Sequence, residues 1–241
     1  MIWLFTDFGR EGPYVGQMTA VLHREAPGVA VVDLLADAPA LEPQFAAYLL
    51  SALTSGCRSG DVVLAVVDPG VGSDRRPLVV EADGVCFVGP DNGLFELVIR
   101  RANRAAAWTI AWRPERLSAS FHGRDLFAPV AARLALGEPP PGPAEPPTRW
   151  PAWPDELAAV IYVDGYGNAI TGLRARGVDA AGQLEVAGRT LRRAGTFADV
   201  PVGEAFWYEN SSGLVEIAVN GGSAASVLGL APGAKVTLVA P

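Results

Sequence analysis

Histidine and cysteine are nearly missing from this chain, with 2 of each in 241 residues. His23 and His122 alone cannot build a histidine-rich metal cluster, and neither HExxH nor a paired Cys/His zinc pattern occurs. The sequence therefore predicts no catalytic metal. Cys57 and Cys86 lie in apolar surroundings without a CxxC pair, and read as buried free thiols. A reducing cytoplasm is the simplest compartment for them. Basic runs are missing too: 19 Lys and Arg stand against 26 Asp and Glu, a net charge of -7. Nucleic-acid binding needs clustered cations that release counterions, so no nucleic-acid partner is expected, and a small or cationic ligand fits better. Neither GxxxxGK[ST] nor GxGxxG occurs, which leaves nucleoside triphosphate and NAD chemistry without support; no cofactor is expected. No apolar run approaches the roughly 20 residues a membrane span requires. Asp7 and Arg10 interrupt the apolar start Met1–Phe5 before a signal-peptide core can form, so the protein is expected to be soluble and not exported.

What is present is half hydrophobic, enough for a substantial core in one large domain or a large and a small one. The first half alternates short β-branched runs with helical spacing, the pattern of an α/β domain with a central, largely parallel sheet. Strands are predicted at 2–5, 29–33, 62–67, 78–81 and 85–88, and helices at 14–25, 43–53, 94–102 and 127–136. Residues 138–154 are proline-rich and read as a linker between a domain at 1–137 and one at 155–241. Beyond them, short strands are predicted at 157–164, 183–186, 190–192, 205–209, 214–219 and 235–239, with Ala187-Gly188 turning one hairpin. Their spacing suggests a smaller C-terminal antiparallel β-barrel.

Four segments concentrate polar residues and glycine near strand ends: Thr6-Asp7-Phe8-Gly9, Asp68-Pro69-Gly70-Val71-Gly72 with Arg75-Arg76, Gly89-Pro90-Asp91-Asn92-Gly93, and Phe121-His122-Gly123-Arg124-Asp125. Each has an ordinary turn reading, because Gly, Pro, Asn and Asp are what turns need. Asp7 follows a predicted strand, where a carboxylate can accept hydrogen bonds from vicinal ribose hydroxyls or simply cap a turn. His122 taken alone is equally a structural histidine.

At these segments the chain resembles the S-adenosyl-L-methionine hydroxide adenosyltransferases, relatives of the fluorinase and chlorinase enzymes. The resemblance runs nearly end to end, through TDFG at Thr6, VVDPGVGSDRR at Val66, GPDNGLF at Gly89, FHGRDLFAPVAARLALG at Phe121, YVDGYGNAIT at Tyr162 and NSSGLVEIAVNGGSA at Asn210. It implies an α/β domain joined to a β-barrel, assembled as a homotrimer with the active site between the N-terminal domain of one subunit and the C-terminal domain of its neighbour. It implies that Asp68, Arg75 and His122 handle the attacking water, that Asp7 holds the ribose hydroxyls, and that Asp164 and Asn168 meet the methionine ammonium and the adenine.

The implied reaction suits these residue types. The sulfonium charge vanishes when the C5′–S bond breaks, so the leaving group is a neutral thioether that needs neither acid nor metal. Only the weak nucleophile needs orientation and a proton acceptor. Pairing with Arg75 favours His122 over Asp68 as that acceptor, and burial favours the reverse, so the choice stays open. Tyr166, Phe197, Phe206 and Trp207 are candidates for an adenine slot, with core packing the alternative for each. Ser211 and Ser212 could receive the methionine carboxylate. Asp68 stands where the halogenating relatives carry tyrosine, and Ser212 where arginine is expected in them. A carboxylate at the first position repels a halide, which argues against halide-dependent transfer. A sensor that binds the ligand without turning it over is the alternative from another class.

Overall fold

The computed structural model describes residues 1–179 and 181–239; residue 180 and the last two residues of the expected 155–241 domain lie outside them. The chain forms two units, Met1–Pro151 and Ala152–Pro241.

The first unit runs β1 (Ile2–Thr6), α1 (Tyr14–Glu25), β2 (Val31–Leu35), α2 (Pro43–Leu53), β3 (Val62–Val66), β4 (Pro77–Ala82), β5 (Val85–Pro90), α3 (Glu96–Arg101), β6 (Ala105–Thr109) and α4 (Ala128–Ala135). Its sheet has the order β2-β1-β3-β5-β4-β6. The first four strands are parallel, and β4 runs antiparallel to both β5 and β6. Ile2, Leu4, Leu64 and Val66 pack with Met18 and Leu22 of α1 and Val130 of α4. The alternate residues Phe5, Val63 and Ala65 are buried as well. Burial on both faces explains why these strands read as unbroken apolar runs rather than alternating ones.

The chain leaves β1 for β2 on one side, while β3 lies on the other. Strand order thus reverses between β1 and β3, and in open α/β sheets the crevice beyond the carboxyl ends of such a pair is where ligands bind. Thr6 pairs with Val66, which brings Asp7 and Asp68 to the edge of that crevice.

The proline-rich segment is not a free spacer over its first part. Thr109 and Ala111 donate backbone N–H groups to the carbonyls of Pro143 and Pro141 at 3.1 and 2.9 Å, and Glu145 N donates to Ala107 O at 3.0 Å. A proline can accept such bonds although it cannot donate, so the strap covers the open edge of β6. At Gly142 a Cβ would fall 1.9 Å from Thr109 O, so only glycine fits.

The second unit contains β7 (Leu157–Val163), β8 (Ala169–Arg174), β9 (Gln183–Val186), β10 (Arg189–Leu191), β11 (Ala205–Glu209), β12 (Leu214–Val219), α5 (Ala224–Leu228) and β13 (Thr237–Val239). These form two antiparallel sheets, β11-β12-β8-β7 and β10-β9-β13. Single bridges, Ala159–Lys235 and Arg193–Trp207, link them around a core that includes Val160, Leu184, Trp207, Val215 and Ile217. Ala187 and Gly188 have φ of 50° and 70°, the left-handed pair that a two-residue hairpin turn requires.

Candidate active site

Asp7 lies just beyond β1. Its Oδ2 accepts the backbone N–H of Leu41 at 3.1 Å. Burial pushes its carboxyl above the ordinary value against that hydrogen bond, and the neighbouring Asp68 adds to the rise.

Asp68 lies just beyond β3 and is tied to Arg75. Ser73 donates from its backbone N and its Oγ to Gly70 O, folding the loop back on itself. Arg75 then reaches Asp68 with Nε, 2.9 Å from Oδ1 and 3.0 Å from Oδ2, while its Nη2 meets Oδ2 in a shorter contact. The Arg75 and Asp68 side chains are 9% and 5% exposed. The same Nη2 lies 2.9 Å from His122 Nδ1, and the guanidinium packs 5.1 Å from the centroid of the Phe127 ring.

His122 precedes a π-helical turn, Gly123–Phe127, that runs directly into α4. Arginine can only donate, so Nδ1 of His122 accepts and the neutral ring carries its proton on Nε2. Burial, reinforced by the Arg75 charge, lowers the His122 pKa below its ordinary value of 6.5. The imidazole is therefore neutral near pH 7, with a donor rather than an acceptor at its free nitrogen.

Asp7, Asp68 and His122 share the wall of one cavity of about 600 Å³ with Phe8, Tyr14 and Phe121. That volume suits a nucleoside-sized ligand. The three rings meet one another at centroid distances of 5.3 to 5.8 Å. Sequence reasoning missed this aromatic wall, although Phe8 and Phe121 belong to two of the segments it singled out. It also passed over Arg124 and Asp125: Arg124 bonds Gln17 Oε1 at 2.8 Å, and Asp125 holds the backbone N–H of Ser118 at 2.9 Å, fixing part of the rim.

One of the four segments serves the fold instead. Asp91 pairs with Arg76 at 2.7 Å and accepts from Thr148, while Asn92 Nδ2 donates to Val67 O at 2.8 Å behind Asp68.

The other sequence candidates belong to the second unit. Asp164 and Asn168 bracket one turn: Asp164 Oδ1 accepts from the backbone N of Tyr166 and Asn168 at 2.9 and 2.8 Å, and Asn168 Nδ2 lies 3.3 Å from Asp164 Oδ2. Tyr166, at the tip, is 84% exposed. Phe197 is half-buried, edge-on to Phe206 and Tyr208 at 5.2 and 5.6 Å. Ser211 and Ser212 occupy the turn between β11 and β12. Trp207 lies in the core of the second unit and follows the core reading, while Phe206 is buried against Phe197 and Tyr208. Among the described residues no group of three or more His, Cys, Asp or Glu is placed to hold a metal ion. No helix among them is long and apolar enough to cross a membrane.

The solved structure of an uncharacterized conserved protein from Thermotoga maritima superposes with a TM-score of 0.89 at 30% identity, covering 99% of this chain and 100% of that one. A conserved hypothetical protein from Thermus thermophilus gives a TM-score of 0.79 at 42% identity, covering 99% of each. In sequence, the chain is 44% identical to the (R)-S-adenosyl-L-methionine hydrolase of Thermus thermophilus over 99% of both chains. It is 39% identical to the protein of the same name from Salinispora arenicola, over 98% of this chain and 96% of the relative. Residues 2–142 match the N-terminal domain of the SAM hydroxide adenosyltransferases and residues 158–237 the C-terminal domain, and the chain therefore belongs to that family.

Proposed function

We propose that the protein hydrolyses S-adenosyl-L-methionine to adenosine and L-methionine, with the (R)-sulfonium epimer named for its relatives as the preferred substrate. The observation that carries the reading is the contact of Asp68, Arg75 and His122 on a cavity at the strand-order switch. In the reaction a water oxygen forms a bond to C5′ as the C5′–S bond breaks, and the electron pair leaves on sulfur as neutral methionine thioether. One proton leaves the water, so the products are adenosine, methionine and H⁺. Asp7 holds the ribose hydroxyls as carboxylate acceptor.

Asp68 takes the proton in this account. His122 Nδ1 is already engaged by Arg75, and its Nε2–H donates to the water oxygen and orients it. Arg75 ties both groups together through its hydrogen bonds. Two carboxylates on the wall, Asp7 and Asp68, disfavour an anionic nucleophile such as chloride, so water is the attacking species. In the C-terminal unit, Asp164 meets the ammonium, Asn168 the adenine, Phe197 and Tyr166 flank the base, and Ser211 and Ser212 receive the carboxylate.

The family resemblance supports a cytoplasmic homotrimer, with each site completed by the C-terminal domain of a neighbouring subunit. Light scattering tests the trimer. Function is tested by incubating the purified chain with each sulfonium epimer and separating the products. Adenosine and methionine in equal amounts, formed faster from the (R) epimer, are expected; absence of adenosine from both refutes the reading.

A further inference from the structure

Glu216 is a carboxylate sealed into β12 at 4% exposure. Its strand neighbours Val215 and Ile217 enter the core, so Glu216 points to the opposite face, directly across from Tyr208 of β11 and Ile170 of β8. Burying a carboxylate is costly unless donors meet it. Two neutral donors do: the Tyr208 hydroxyl bonds Oε1 in a short contact, and Asn210 Nδ2 bonds Oε2 at 2.9 Å.

Each donor leads to a residue assigned above to the substrate. A side-chain amide can point either way, but a carboxylate accepts only, so Glu216 fixes Asn210 with its nitrogen inward. Asn210 Oδ1 then faces the turn and accepts the backbone N–H of Ser212 and Leu214 at 2.9 and 3.0 Å. Those two bonds shape the turn that presents Ser211 and Ser212. On the other side, the anchored Tyr208 ring stands edge-on to Phe197 at 5.6 Å and holds that ring in place.

We infer that Glu216 is a positioning residue for substrate binding, acting through Asn210 on the Ser211-Ser212 turn and through Tyr208 on Phe197. The inference rests on the proposed function, which assigns that turn and that ring to the substrate. Glu216 touches no substrate itself, so its loss acts on binding and spares the chemical step.

Glu216→Ala and Glu216→Gln in the full-length protein test it. In Glu216→Gln the amide oxygen still accepts from Asn210, and the Tyr208 hydroxyl turns to accept from the new NH₂. Glu216→Ala is expected to raise KM for S-adenosyl-L-methionine about tenfold, with kcat within about twofold, as befits loss of a charge-assisted bond that orders the site. Amide exchange at Ser212 and Leu214 should quicken by about tenfold in the same variant. Glu216→Gln should restore both values to within about threefold of wild type. Should Glu216→Ala fail to fold, Glu216→Leu, which fills the same space without an acceptor, makes the same comparison with Glu216→Gln. A wild-type KM in a folded variant whose only defect is a lower Tm makes Glu216 purely structural and overturns the inference, as does unchanged exchange. Failure of Glu216→Gln to rescue overturns it too. A wild-type protein without turnover refutes the proposed function instead, and the exchange measurement still reports whether Glu216 orders the turn.

Discussion

Asp68→Asn separates proton acceptance from bracing. The substitution keeps the shape and one carbonyl that can accept from Arg75, but removes the charge and the ability to take a proton. Asp68 and Arg75 are 5% and 9% exposed, so the guanidinium is left nearly enclosed with a neutral partner. Stripping a buried charge of its partner costs about 3–5 kcal/mol, and the retained carbonyl holds the loss near about 3. For a protein of this size that corresponds to a fall in Tm of about 6–12 °C. On the proposed role of Asp68, loss of the general base should slow the chemical step by about 10²- to 10⁴-fold, or about 3–5.5 kcal/mol on the barrier. Adenosine affinity should stay within about threefold, because Asp7 has its own anchor in the Leu41 N–H and not in Asp68. Single-turnover adenosine formation, run beside His122→Asn and well below either Tm, gives the comparison. His122→Asn loses only an orienting donor and should fall about ten- to a hundredfold. If Asp68→Asn keeps its rate within about tenfold while His122→Asn loses more, His122 is the base and the tautomer argument fails.

Because burial and Arg75 lower the His122 pKa, kcat/KM should hold level as the pH falls through 6.5 and decline only below it; a midpoint above 6.5 would contradict this. The stability tied to neutral His122 is fully present above 6.5 and drains away as the pH falls from there to the lower folded value, so His122→Asn should flatten that part of a urea-midpoint profile. Glu96 is buried; burial raises its pKa, but hydrogen bonds from Arg149, Arg100 and Trp150 N outweigh it and hold the carboxyl at about 2. Its stabilisation is complete above 4.5 and lost as the pH falls from 4.5 toward 2, so Glu96→Gln should lower stability by about 3 kcal/mol at pH 7 and much less at pH 2.5, measured by chemical denaturation. Gly72 has φ of 80°, and a Cβ there would lie 2.7 Å from Ala119 O. Gly72→Ala should cost about 1–3 kcal/mol and raise KM by displacing the Ser118–Ser120 rim, and an unchanged KM would count against that rim's part in the site.

Helices α1 and α2 were legible to the residue, because apolar spacing and flanking Pro27-Gly28 or Pro43 agree. The strand β6, Ala-Ala-Ala-Trp-Thr, was not, since alanine carries little strand preference and its pairing comes from β4 and the proline strap. The strand β8 was hidden inside a motif read for its chemistry, and α5 is too short for its spacing to register. In the site, Asp68 and Arg75 already share one segment, 7 residues apart, but His122 stands 47 residues beyond Arg75, a distance no local pattern can bridge; only the resemblance joined it to them in sequence. Asp91 and Asn92 have the same local chemistry as Asp68 and its glycines, and nothing short of their partners Arg76 and Val67 marks them as structural. The Phe8, Tyr14 and Phe121 wall escaped because each aromatic, taken singly, has a core reading.

Water attack on C5′ is measured most directly by turning over S-adenosyl-L-methionine in water enriched in heavy oxygen and weighing the adenosine. One heavy oxygen at the 5′ hydroxyl, with none in methionine, is the predicted result. Unlabelled adenosine, or 5′-halo-5′-deoxyadenosine when chloride is present, would contradict the account.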